Sequence, residues 1–209
     1  MAEANDSIKE RILSAVQERV SREGYARLSV DELTTSMGMS KKTFYKVFES
    51  KEEMIGQFVD RTIGEIGGAL DRIVTEDAGF IQKMNSLMAF VGTLSQKINS
   101  LLVGDIQRQM PALWKRVEEF RRGKIQENFS RLIAQGMKEG YVQANLNQRV
   151  FILVYAASIQ AVIQPSILSQ ESFSAKEAIQ QIVQMFFAGI MTDEGRRIFD
   201  QQKNHASIQ

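Results

Sequence analysis

Apolar residues in the first fifty positions recur at the three- and four-residue spacing of a helix face, in three short runs. Ile8, Ile12, Leu13, Val16 and Val20 form the first run, which predicts a helix ending at Gly24. The second opens behind Ser29. Glu32 stands three positions on to complete a capping box, and Leu28 and Leu33 hold the two positions of a hydrophobic staple, so a helix is predicted from Val30. It should stop at Met37, because Gly38 takes the left-handed conformation that closes a helix at little cost. Ser40 can cap the next segment almost at once. There Phe44, Val47 and Phe48 share one face, whereas Lys42, Thr43, Tyr45 and Lys46 cover the other. Ser50 and Glu53 form a second capping box that starts a further helix with Lys51 in its first turn. Two short helices joined by a tight turn, the second apolar inside and polar outside, are what a helix-turn-helix needs to enter a DNA major groove.

The helix opening at Lys51 continues through Phe58, Val59, Ile63, Ile66, Leu70, Ile73 and Val74, and so should join head to body without a flexible linker. Gly64, Gly67 and Gly68 lie inside it. An interior glycine costs roughly 0.5 to 1 kcal/mol against alanine, so these positions mark either close packing against a neighbour or a soft hinge. Residues 80–102 predict a single stripe through Phe80, Met84, Leu87, Met88, Val91, Leu94, Ile98 and Leu101. A second long helix is predicted from Pro111, a favourable first position, through Leu113, Val117, Phe120, Phe129, Leu132, Ile133 and Met137 to Gly140. The piece between them, around Asp105 to Met110, has no firm assignment.

After Asn147 the pattern changes, since VFILVYAASIQAVIQ is apolar on nearly every face until Pro165. Such a helix needs burial on all sides, which a small monomer cannot easily arrange. Ser174 and Glu177 form a third capping box ahead of Ile179, Ile182, Val183, Phe186, Phe187 and Ile190. Only two prolines occur in 209 residues and no alternation of β-branched residues persists, so the whole chain reads as all-α: a three-helix head over residues 1–50 and a helical body over 51–209.

Bulk charge does not support nucleic-acid binding. The net charge is +1, and residues 1–55 carry nine basic and ten acidic side chains. Placement does support it: no acid occurs from Thr34 to Phe48, where three lysines crowd the reading segment. Selective binding with few phosphate contacts follows. There is no cysteine, and the lone His205 stands four residues from the C-terminus, so no metal or other cofactor is expected. No metal-ligand spacing, Gly-rich phosphate loop or Ser/His/Asp set accompanies them, which argues against an enzyme and leaves catalytic residues at none. The N-terminus lacks an apolar signal run and the stretch Val150 to Ile159 is too short to span a bilayer, so no membrane association and a cytoplasmic location are expected.

Residues 8–55 resemble the DNA-binding head of the tetracycline-repressor (TetR) family of bacterial transcription regulators. The matching residues are Gly24-Tyr25, Ser29, and Tyr45, Phe48, Lys51 and Glu52, with Met54 for the family's usual leucine and Lys42 where glycine is frequent. The resemblance is specific over this first quarter; beyond it only architecture and length match. It implies a homodimeric repressor that binds a palindromic double-stranded operator and is released by a small effector held in the body. Lys42, Thr43 and Tyr45 would face the groove, with Tyr45 alternatively on phosphate, and Ser29, Ser40, Lys41, Lys46 and Lys51 would surround them at the backbone. In the family the last two long helices pair across the dimer, which here implicates Val154, Ala157, Ala161, Ile182, Phe186 and Phe187. Met84, Met88, Trp114, Phe129 and Tyr155 are candidate lining for an apolar or aromatic effector, with core filling as the alternative for each and a surface position open for Trp114. Activation would use the same contacts as repression. A helical carrier or sensor without DNA binding would share the same body.

Overall fold

The computed structural model describes residues 2–94 and 100–206. Among them the regular elements are helical: α1 (Ala2–Glu23), α2 (Val30–Ser36), α3 (Lys41–Phe44), α4 (Lys51–Thr75), α5 (Phe80–Leu94), α6 (Ser100–Gln109), α7 (Pro111–Phe120), a π-helical turn (Arg121–Ile125), α8 (Gln126–Lys138), α9 (Gln148–Val162), α10 (Pro165–Leu168), α11 (Ala175–Ile190) and α12 (Asp193–Ala206). The all-α expectation holds, with a single isolated β-bridge between Val142 and Met191 among the described residues. No described helix is long and apolar enough to cross a membrane.

Two compact units result: residues 1–65 with 96–117, and residues 66–95 with 118–209, taken over the described residues. A boundary at residue 50 would assign all of α4, α6 and α7 to the body; by packing, the first half of α4, α6 and most of α7 go with the helix-turn-helix instead. In that first unit the apolar faces of α1 to α4 close on one core containing Ile12, Val16, Leu33, Phe44, Phe48 and Ile55, each essentially without solvent exposure. Ile106 of α6 and Leu113 of α7 join the same cluster.

The second unit brings α5 against α8, α11 and α12, and α9 against α8 and α11. Phe129, Tyr155 and Phe187 meet there at ring-centroid separations of 4.8 Å (Phe129 to Tyr155) and 5.5 Å (Phe129 to Phe187). Gly136 allows a close approach in this unit, since a Cβ there would fall 2.5 Å from Val142 Cγ2 and 2.8 Å from the Phe80 ring.

Two long-range expectations need correction, and two helical stretches are added to the reading. The stripe over residues 80–102 is helical wherever it is described, in α5 and at the start of α6; Ile98 lies outside the described residues, and the unassigned piece near Asp105 is the body of α6. The helix from Pro111 carries a π-helical turn at Arg121–Ile125, where the apolar stripe thins to Ile125 alone and the sequence reads RRGK. The apolar segment after Asn147 is not buried on all sides: in α9, Val150, Leu153 and Val154 are about half exposed. A further helix, α12, follows α11; its apolar positions are too sparse to give a stripe.

The glycines of α4 separate by role. Gly67 faces the Phe120 ring, whose Cε2 would stand 3.0 Å from an added Cβ, so close packing is the reason for glycine there. Gly64 is exposed with nothing within 4 Å. Gly64→Ala should therefore raise thermal stability by about 0.5 to 1 kcal/mol, whereas Gly67→Ala should lower it, as differential scanning calorimetry of the two variants would show.

A helix-turn-helix reading surface

The turn between α2 and α3 is built by Gly38. With φ at +63° it lets its own amide reach Thr35 O (3.1 Å) and the Met39 amide reach Thr34 O (3.0 Å), the paired bonds that close a helix C-terminus. Ser40 then caps α3, its Oγ accepting from the Thr43 amide at 3.1 Å. Phe44 and Phe48 point into the core and Val47 is half-buried, so Lys42, Tyr45 and Lys46 are left on the outer side of the segment. Tyr45 is 54% exposed, its ring edge-on to Phe44 at 5.1 Å.

The expected capping box at Ser29 does not form: Ser29 makes no side-chain cap bond, and the Glu32 carboxylate pairs with Arg19 of α1 at 3.5 Å. The staple carries that helix start instead, as Leu28 and Leu33 are both buried in the core. At the next start Ser50 Oγ accepts from the Glu53 amide (3.0 Å), but the Glu53 carboxylate accepts from Glu49, one residue before the cap. The box at Ser174 and Glu177 is complete.

The lysines differ in how free they are. Lys41 pairs with Asp31 at 2.6 Å, and this contact holds its pKa above the usual lysine value. The pair is exposed, so a phosphate can replace the carboxylate at little cost. Lys42 and Lys46 have no ion-pair partner among the described residues. Lys51 lies over the Tyr25 ring at 4.1 Å, and burial lowers its pKa.

Tyr25, Lys51 and Glu52 form a cluster whose contacts were not visible in the sequence. Tyr25 donates to Glu52 Oε1 at 2.8 Å, and the Ala26 amide donates to the buried Asp105 carboxylate of α6 at 2.9 Å. The loop between α1 and α2 is thus tied to both α4 and α6. Burial, followed by the Glu52 hydrogen bond, raises the Tyr25 hydroxyl from its ordinary 10 to about 12. Because the folded state favours the neutral phenol, this contribution is complete below pH 10 and is lost as the pH rises through about 12. Denaturant midpoints measured from pH 9 to 12 should converge between wild type and Tyr25→Phe, with wild type the more stable at the lower end; the pH values bracket that shift.

In the second unit, a cavity of about 400 Å³ lies between the π-helical turn and α9. Phe129 and Tyr155 line it, together with Ile152, Leu153, Arg121 and Arg149. The other candidate lining residues are not brought there. Met84 is fully buried in the core, Met88 is half-buried, and Trp114 packs against the core of the first unit. Of the residues expected at a dimer face, Val154, Ala157 and Ala161 are exposed on α9 and Phe186 is half-buried. Ile182 and Phe187 are corrected to interior positions, Phe187 being enclosed by Phe129 and Phe151. The exposed apolar residue that α11 contributes is Met185.

A short helix, a glycine turn and a capped second helix with an apolar inner and cationic outer side define a helix-turn-helix DNA-binding motif. Residues 12–58 match the bacterial regulatory proteins of the tetR family. Over 188 residues the chain is 23% identical to the HTH-type transcriptional regulator YvaF of Bacillus subtilis, covering 88% of this chain and 96% of that protein. In fold it is similar to a TetR-family transcriptional regulator from Agrobacterium tumefaciens, with a TM-score of 0.71 at 13% identity over 90% of this chain and all of that one. A transcriptional regulator from Cytophaga hutchinsonii gives a TM-score of 0.69 at 17% identity, with 88% and 98% covered. Residues 12–58 thus match the helix-turn-helix of the tetR family, and the chain as a whole is similar in sequence to an HTH-type transcriptional regulator and in fold to TetR-family ones.

Proposed function

We propose that the protein is a cytoplasmic homodimeric repressor that reads a palindromic operator with residues 1–50 and loses its grip when a small effector enters the body, residues 51–209. The observation that carries the reading is the outer side of the α3 segment, where Lys42, Thr43, Tyr45 and Lys46 stand around a buried Phe44 and Phe48. Lys42, Thr43 and Tyr45 address base edges; Ser29, Ser40, Lys41, Lys46 and Lys51 hold the phosphate backbone. Ser29 suits that role because its hydroxyl is not engaged in capping α2.

The dimer forms through α9, whose exposed Val150, Leu153, Val154, Ala157 and Ala161 make an apolar face, with Met185 and Phe186 of α11 beside it. Regulation acts by binding and not by catalysis. Effector state reaches the head along α4: Gly67 packs on Phe120, and Asp71, one turn further, accepts from Lys124 (2.8 Å) and Asn128 (3.0 Å) at the π-helical turn and the start of α8. Selection of bound duplexes from a randomised library at low salt tests this. Enrichment of an inverted repeat supports the repressor reading; no enrichment makes the chain a carrier or sensor.

A further inference from the structure

The cavity beside α9 has apolar walls and a cationic end. Phe129, Ile152 and Tyr155 supply the walls, and Arg121, Arg122 and Arg149 converge on it with Glu118 as the opposing charge. Arg149 is held in place: with its amide oriented to satisfy both neighbours, Gln126 accepts from Arg149 Nη1 (3.0 Å) and donates to the backbone carbonyl of Arg122 (3.1 Å). Arg121 differs from Arg149. It is half-buried and has no hydrogen bond or ion pair among the described residues. A guanidinium taken partly out of water without a partner is costly, and such groups are ordinarily paired. It sits at the first residue of the π-helical turn, a local geometry found preferentially where a helix serves a function.

We propose that this cavity binds an organic anion, a carboxylate or sulfonate on an aromatic or aliphatic body, with Arg121 as the anchor for the acid group. The apolar body lies against Phe129, Ile152 and Tyr155, and Arg149 and Arg122 add to the positive field at the mouth. Desolvation lowers the Arg121 pKa, with Glu118 offsetting it, which is the state that an incoming anion relieves. A bidentate guanidinium contact also orients the ligand in a way that a lysine could not. An effector described only as apolar, the reading drawn from the sequence, therefore lacks its charged half. The inference rests on the effector reading of the body, yet it concerns binding alone.

Two fluorescent probes of nearly the same aromatic frame test it on the full chain: anilinonaphthalene sulfonate, which is anionic, and N-phenylnaphthylamine, which is neutral. Titrations without DNA should show one saturable site per chain, with the sulfonate bound about tenfold or more tightly than the amine, as one charge-assisted pair implies. Arg121→Met should remove that preference while leaving the amine's affinity unchanged, and Arg149→Met should reduce it less. Arg121→Lys should restore part of the affinity. Equal binding of the two probes by wild type, which needs no variant to fold, would overturn the proposal. So would an Arg121→Met chain that keeps its sulfonate preference, since the probe would then sit on the apolar face of α9, or one that loses dimerisation instead. Failure of the probe to release a selected DNA duplex, with the charge preference intact, would count against the effector reading and leave the anion site standing.

Discussion

Tyr45→Ala should weaken binding to a selected duplex by at least about tenfold while leaving the melting temperature nearly unchanged. The two halves of this expectation come from the same residue. Its ring is more than half exposed on the outer side of the reading segment, so truncation removes little packing, and surface changes of this kind usually stay within about 0.5 kcal/mol. In the proposed complex the same ring would meet a base edge or a phosphate, contacts worth about 1 to 3 kcal/mol. Phe44 next to it makes the contrast: it is fully buried, and Phe44→Ala would cost about 3 to 5 kcal/mol and lose DNA binding by unfolding the head. Fluorescence anisotropy with a labelled duplex and a parallel thermal melt distinguish the two. A Tyr45→Ala protein that binds DNA as wild type does would remove this residue from the interface.

Val154→Arg should prevent the proposed dimer from forming. Val154 is 49% exposed near the middle of the α9 face, so an arginine there is tolerated by the isolated chain. Across a twofold axis two such arginines would be buried without partners, at a cost of several kcal/mol. Sedimentation velocity should show about half the wild-type mass at micromolar protein. Affinity for an inverted repeat should fall by more than tenfold, because each half-site is then bound alone. An unchanged mass would place the interface elsewhere, and a dimer that persists through the exposed Met185 on α11 would be the first alternative to test.

The reading surface was legible because its signals are local. Gly38 must turn the chain, Ser40 caps within four residues, and Phe44 and Phe48 fix which side faces in. Even there Glu32 was misread, since a carboxylate that can bend back to its own cap can also reach Arg19 on another helix, and sequence spacing does not rank the two. The body was less legible because its decisive contacts are distant in sequence. The carboxylate of Asp105 reaches an amide 79 positions away, and the cluster of Phe129, Tyr155 and Phe187 joins three helices. Arg121 and Arg122 drew no assignment from the sequence pattern; only the π-helical turn, which no residue pattern announces, sets Arg121 against the cavity. Ile182 and Phe187 carried the apolar signal of an interface, but a helix in a small domain has two apolar sides to supply and the core took theirs.

Hydroxyl-radical footprinting of the wild-type protein on a duplex recovered by selection is the most direct test that the chain acts as a dimeric helix-turn-helix regulator. Two protected half-sites, related by a twofold axis and centred about 34 Å or a multiple of it apart on one face of the DNA, are predicted. Protection of a single half-site, or uniform protection that vanishes with modest salt, would contradict it.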